Sequence, residues 1–212
     1  MLFLHITTKV EGDAHQKLLS EKGGRSFPYL VFLDPEGAVV GRHEGERDLA
    51  QFTATAKWAA AFVQTREKAL KGDKSAQADY LIGQIDLGQV DQETTRKRMQ
   101  ELPELTKEQK AALDARLVDF EIEAVAKGVK DKKGMIEAGQ KYAEMKKAGK
   151  TPMAQETFTR YWSALMEYSE SQKDAAGFEE AMNKILERYG ASINPNWKKT
   201  SADRLKKLKE SK

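Results

Sequence analysis

Two short β-forming runs on either side of a turn sequence constrain this chain more than any other feature. The first run, Tyr29-Leu30-Val31-Phe32-Leu33, is apolar throughout, and the second contains Val39 and Val40. Between them stands Asp34-Pro35-Glu36-Gly37, in which proline presets one turn dihedral and glycine accepts a positive φ. The pattern predicts a β-hairpin over this stretch. The uniformly apolar first run favours a strand that is buried on both faces.

Residues 1–70 also contain one further strand and two helices by their patterns. Residues 2–8 are apolar and β-branched, and they predict a strand at the start of the chain. A short helix follows, with Asp13 as its N-cap and Gly23-Gly24 just past its end. Residues 47–70 repeat apolar side chains at helical spacing and predict a long helix. The predicted order of this segment is therefore β-α-β-β-α.

The step Phe27-Pro28, the apolar run and Asp34-x-x-Gly37-x-Val39 resemble the second half of a thioredoxin-like domain. In that family the proline is cis and lies beside the redox site, and the hairpin supplies the last two strands. The resemblance implies that Pro28 is cis and that Phe27 offers its backbone groups to an extended substrate chain. Phe27 and Pro28 are therefore the predicted substrate-binding residues. A trans proline at the first residue of an edge strand is the alternative.

The segment departs from that family where the family performs its chemistry. A thioredoxin-like domain has the order β-α-β-α-β-β-α, and its first strand and its Cys-x-x-Cys helix have no counterpart here. The chain contains no cysteine, so we predict no oxidoreductase activity and no catalytic residue. Two explanations stay open: a truncated domain with its redox segment upstream of Met1, which we favour, or a complete chain with a degenerate half-domain. The strand edge left unpaired predicts dimerisation of two copies by strand pairing.

From residue 72 onward the pattern is helical. Glycine, aspartate and proline separate predicted helices at 74–87, 91–101, 106–127, 132–148, 152–171 and 175–189. The Gly-Asp steps before helices and the alanine, leucine and tyrosine at interhelical positions resemble tetratricopeptide-type helical hairpins, although the regular period of about 34 residues is missing. The helix at 152–171 carries an aromatic stripe, for which core packing is favoured over a peptide groove. Residues 72–190 are thus predicted to form an all-α, helical-repeat-like domain.

Residues 191–212 predict a basic C-terminal tail. Within it, residues 200–211 could form one or two amphipathic helical turns through Leu205 and Leu208, but a frayed end is favoured. The last 15 residues, 198–212, carry seven Lys/Arg against two acidic residues, a net charge of +5, so that the rest of the chain is near −2. No aromatic side chain stands among these lysines, and we predict no nucleic-acid partner. No run is long and apolar enough to span a membrane. The three histidines are scattered, and no metal or cofactor is predicted.

Taken together, the patterns predict an α+β, partly thioredoxin-like segment over 1–70 followed by an all-α domain over 72–190. The expected function is the binding of a protein or peptide client near Phe27 and Pro28, in a redox-inactive relative of the thiol-disulfide exchange proteins. The alternative is a non-enzymatic helical-repeat scaffold with the α/β part as a structural cap. The resemblance also hints at an exported or periplasmic bacterial protein, although no signal-peptide pattern follows Met1.

Overall fold

The computed structural model describes residues 11–12, 14–102 and 104–210. Within them the chain is mostly helical and contains one two-stranded antiparallel sheet, so the coarse α+β and helical prediction is confirmed. The elements in chain order are α1 (Leu18–Glu21), β1 (Val31–Leu33), β2 (Val39–Arg42), α2 (Leu49–Leu70), α3 (Lys74–Asp86), α4 (Gln92–Glu101), α5 (Lys107–Ala126), α6 (Lys132–Lys147), α7 (Gln155–Ser171), α8 (Ala175–Tyr189) and α9 (Pro195–Glu210). The predicted strand over residues 2–8 and the predicted N-cap Asp13 lie outside the described residues.

Contacts within the chain divide it into two units, Met1–Gln109 and Lys110–Lys212. This division differs from the predicted boundary near residue 71, because α3 packs along α2 and belongs with the first unit. Gly83 of α3 permits the close approach, since a Cβ at that position would lie 2.5 Å from Cδ2 of Phe62. The helical segment that the sequence assigned to one domain is therefore shared between two units.

The hairpin of the N-terminal unit forms at the predicted place. Val31 pairs with Arg42 and Phe32 with Gly41, and a register shift follows between Phe32 and Leu33. The Asp34 amide donates to the Ala38 carbonyl over 3.0 Å, and a carboxylate oxygen of Asp34 accepts from the Ala38 amide over 2.7 Å. Gly37 has a φ of 82°, which a residue with a side chain adopts at a cost. The turn residues identified in the sequence are therefore the residues that close the hairpin.

Burial of β1 on both faces was predicted, and for Leu33 this is wrong. The Leu33 side chain is 47% exposed, and Val31 and Phe32 are only partly buried. Among the described residues, α2 packs on the hairpin and covers it from one side. Gly41 allows this packing, because a Cβ there would lie 2.8 Å from Cβ of Ala59. Val40, Ala59 and Phe62 form the small buried cluster between the helix and the sheet.

The C-terminal unit has a larger core, built on aromatic side chains of α6, α7 and α8. Tyr142, Tyr161 and Phe178 are buried to 1% exposure or less, and Trp162 to 4%. The Tyr142 hydroxyl donates to the Ile122 carbonyl over 2.9 Å, and the Tyr161 hydroxyl donates to the Lys150 carbonyl over 3.0 Å. Burial raises the pKa of Tyr142 to about 12. The aromatic stripe of α7 therefore packs as core, as its spacing favoured.

The start of α7 differs from the prediction. The helix was predicted to begin at residue 152, but it begins at Gln155, and its N-cap residue Ala154 has no capping side chain. The acceptor comes from α5 instead: the Asp119 carboxylate accepts from the amides of Met153 and Ala154, each over 3.1 Å, and from the Thr157 hydroxyl. A carboxylate remote in sequence therefore holds the two residues that immediately precede α7 and, through Thr157, the first turn of the helix.

A frayed C-terminal tail was predicted, and this is also wrong. Residues 195–210 form α9, whose Ser201, Leu205 and Leu208 are buried against the core of the C-terminal unit. Arg204 donates to both Glu170 and Glu167 of α7, over 2.6 Å in each case. Apolar residues at helical spacing and one arginine with two carboxylate partners are enough to dock a helix that is otherwise rich in lysine.

Candidate functional site

The segment Arg25–Pro28 leads from α1 into β1 and is exposed along its whole length. The Phe27 side chain is 51% exposed. The Phe27–Pro28 peptide bond is cis, the isomer that the resemblance implied. Among the described residues, nothing forms a hydrogen bond with residues 25–28, on backbone or side chain. Main-chain donors and acceptors that have no partner in the described part of the chain therefore lie beside an exposed aromatic ring.

Both ends of this segment are held in place. On the α1 side, Gly24 is buried, and a Cβ on it would lie 2.3 Å from Leu19 and 2.9 Å from the Tyr29 ring. On the β1 side, the Tyr29 hydroxyl donates to the Lys22 carbonyl over 2.7 Å, and burial raises the pKa of Tyr29. The Leu30 carbonyl accepts from the His43 amide over 2.9 Å, which extends the pairing of the hairpin. The exposed segment is thus a short loop between two anchored ends.

His43 lies beneath the end of β2 and is 8% exposed. Its ring stacks on Phe52 with 4.0 Å between the centroids. Nε2 donates to the Glu46 carbonyl over 3.0 Å, and Nδ1 lies 2.9 Å from the Thr55 hydroxyl. Both ring nitrogens are therefore engaged by the protein, and His43 acts as a structural residue that ties the hairpin to α2.

A second surface, which the sequence reasoning missed, lies between the hairpin and α2. It is a groove of about 480 Å³, lined by residues 32–36 and Val40 of the hairpin and by one face of α2 between Ala56 and Glu67. We call it the α2 groove; Phe27 and Pro28 are not among its lining residues. The signal in the sequence is the spacing of Ala56, Ala60 and Val63, whose small side chains leave space on one face of the helix.

One end of the α2 groove is closed by an ion pair between the turn and the helix. Arg66 donates to Asp34 over 2.8 Å, and the Asp34 side chain is only 5% exposed. The Arg66 guanidinium holds the pKa of Asp34 below its usual value. Asp34 thus has two functions, since it also closes the hairpin turn through the Ala38 amide.

The residues that the structure describes contain no group of three or more His, Asp or Glu side chains that could hold a metal ion. In residues 11–12, 14–102 and 104–210, none of the helices combines the length and the apolar character that a membrane crossing needs. No protein-family model matches the chain, and no curated protein or solved structure matches it either. The N-terminal unit therefore offers two candidate surfaces, the loop at residues 25–28 and the α2 groove.

Proposed function

We propose that the N-terminal unit binds an extended segment of a client polypeptide along residues 25–28. The observation that carries this proposal is the combination, in one anchored loop, of an exposed Phe27 ring and backbone groups without a described partner. An extended chain would supply main-chain hydrogen bonds to those groups, and an apolar side chain of the client would cover Phe27. Phe27 and Pro28 are the residues assigned to this contact.

The resemblance to the second half of a thioredoxin-like domain supports the same site, because that family receives its substrates beside the proline. The proposed role is binding alone. Attack on a disulfide requires a thiolate, and the chain has no cysteine to provide one. We therefore expect this chain to leave the disulfides of insulin intact in a reduction assay, and turnover in that assay would contradict the proposal.

The decisive test is a titration of the ¹⁵N-labelled protein with reduced, carboxymethylated insulin B chain, an unfolded polypeptide with blocked thiols. Amide signals of residues 25–30 should shift, and hydrogen exchange at the Ser26 and Phe27 amides should slow as they acquire acceptors. Phe27→Ala should weaken binding by about tenfold or more, because it removes one large apolar contact with the client.

The matched control is Leu49→Ala, which also removes an exposed apolar side chain, 83% exposed in α2. It should bind the probe like the unmodified protein. Equal losses for Phe27→Ala and Leu49→Ala would contradict a site at residues 25–28. Shifts confined to α6–α9 would instead favour the helical-repeat scaffold, in which the C-terminal unit carries the partner.

A further inference from the structure

The α2 groove has an apolar floor that the described chain leaves open. Leu33 of β1 lines it and stays 47% exposed, and Ala60 of α2 is exposed at its opposite wall. Its volume of about 480 Å³ lies within the range of about 300–1,000 Å³ that is typical of ligand sites. An exposed leucine facing short alanine side chains leaves room for apolar side chains of a partner.

The rim of the α2 groove is acidic on both walls. Asp34 is neutralised by Arg66, but Glu36 on the turn and Glu67 on α2 are exposed and pair with no cation in the described part of the chain. The nearest lysine of the turn region, Lys22, donates to the Gly37 carbonyl over 2.6 Å and is not a lining residue. The lining residues Asp34, Glu36, Arg66 and Glu67 therefore leave the groove with an excess of negative charge, and two exposed carboxylates that form no ion pair in the described residues lie one on each wall, with apolar surface between them.

We propose that the α2 groove is a second binding site, and that its ligand is a polypeptide segment with apolar side chains flanked by lysine or arginine. Apolar side chains would cover Leu33, Ala60 and Val63, and the flanking cations would lie against Glu36 and Glu67. This charge pattern repels nucleic acid and anionic membranes, and it disfavours acidic peptides. The site does not involve the loop at residues 25–28, so an experiment can contradict this proposal without contradicting the proposed function, and the reverse.

The probes are three capped peptides of equal length: Lys-Leu-Val-Leu-Lys, Glu-Leu-Val-Leu-Glu and Lys-Ser-Thr-Ser-Lys. Methyl signals of Ala56, Ala60 and Val63 are followed by NMR at low salt, together with the affinity. Only the first peptide should shift these signals strongly. The double variant Glu36→Gln/Glu67→Gln should bind it about fivefold more weakly, the range expected for two exposed ion pairs. Added salt should remove most of that difference.

The steric test uses two phenylalanine substitutions at exposed positions of α2. Ala60→Phe fills the groove and should abolish binding, whereas Ala61→Phe, which is exposed but does not line the groove, should leave it unchanged. Circular dichroism checks that both variants keep their helices. Saturation of the groove methyl shifts by the basic peptide should not require signal changes at residues 25–30, which separates this site from the loop.

Three results would overturn the proposal. The basic and acidic peptides could bind equally, or Ala60→Phe could bind as well as Ala61→Phe. The groove signals could also shift with protein concentration in the absence of peptide, which light scattering would identify as occupation by a second copy of the chain.

Discussion

The two units differ in what they do with large apolar side chains. In the C-terminal unit, a single buried cluster draws on α5 to α9 and takes in Tyr142, Tyr161, Trp162 and Phe178. In the N-terminal unit the buried cluster consists of Val40, Ala59 and Phe62. The side chains that stay exposed are concentrated there: Phe27, Leu33, Leu49, Trp58 and Leu70, against Met153 alone among the described residues of the other unit.

This difference is the basis of both binding proposals. Scattered exposed apolar residues need no explanation, but apolar surface that lies beside unpaired backbone or in a groove is available to a partner. Both proposed binding surfaces belong to the N-terminal unit, where the helices leave such surface uncovered. The C-terminal unit uses the same residue types for its own stability, and its aromatic stripe is not a binding groove.

The largest expected effect comes from removing one buried phenylalanine in each unit. Phe178→Ala and Phe62→Ala should each lower the free energy of unfolding by about 3–5 kcal/mol, the cost of a large cavity. Residue-resolved hydrogen exchange should show faster exchange in α6–α9 for Phe178→Ala, and in the hairpin and α2 for Phe62→Ala. If either variant accelerates exchange equally in both units, the separation into two cores is wrong.

A smaller effect is expected from removing a helix-capping carboxylate, and here a cap remote in sequence is compared with a local one. Asp119→Ala removes the acceptor of the two amides just before α7 and of the Thr157 hydroxyl, and should cost about 2 kcal/mol. Asp48→Ala removes the acceptor of the Gln51 amide in α2 alone, and should cost about 1 kcal/mol. Urea unfolding measures both. Asp119→Asn keeps one acceptor oxygen and should fall between the unmodified protein and Asp119→Ala; equal costs for the two alanine variants would contradict the remote cap.

The smallest effect is a pH dependence that both units should show. The pKa of Asp34 is lowered by Arg66, and that of Glu170 by Arg204, from ordinary values of 3.8 and 4.5. A carboxylate whose pKa is lowered by folding stabilises the folded state when the pH is above its ordinary pKa. This stabilisation is lost as the pH falls through the lowered pKa. Each ion pair should therefore contribute about 1 kcal/mol at neutral pH and nothing in strong acid.

Asp34→Asn and Glu170→Gln test this dependence, because neither amide titrates. Each variant should flatten the fall in unfolding free energy on acidification. The effect should be weaker for Glu170→Gln, since Glu167 still pairs with Arg204. An unchanged acid profile in Asp34→Asn would show that the pair with Arg66 contributes nothing to folding.

Local signals in the sequence were reliable wherever the partners lie within a few residues. Asp73, Asp131 and Asp174 each directly precede a predicted helix, and Asp48 and Asp91 lie in the predicted first turn of one. Each of these five carboxylates accepts from an amide at the start of its helix. The hairpin turn formed for the same reason, because Asp34, Gly37 and Ala38 bond to one another. Phe27 and Pro28 were singled out by a family resemblance rather than by a local signal, and the structure places them in an exposed loop.

The sequence by itself thus determined the hairpin, the helices α2 to α8 and most of their caps, because those features depend on bonds within one turn of chain. Only the tertiary structure decided the start of α7, the docking of α9 and the α2 groove. Asp119 caps residues 34, 35 and 38 positions away, and Arg204 pairs with carboxylates 34 and 37 positions away. No pattern within a short window contains such partners, so a lysine-rich tail and a buried helix were indistinguishable until the chain was folded.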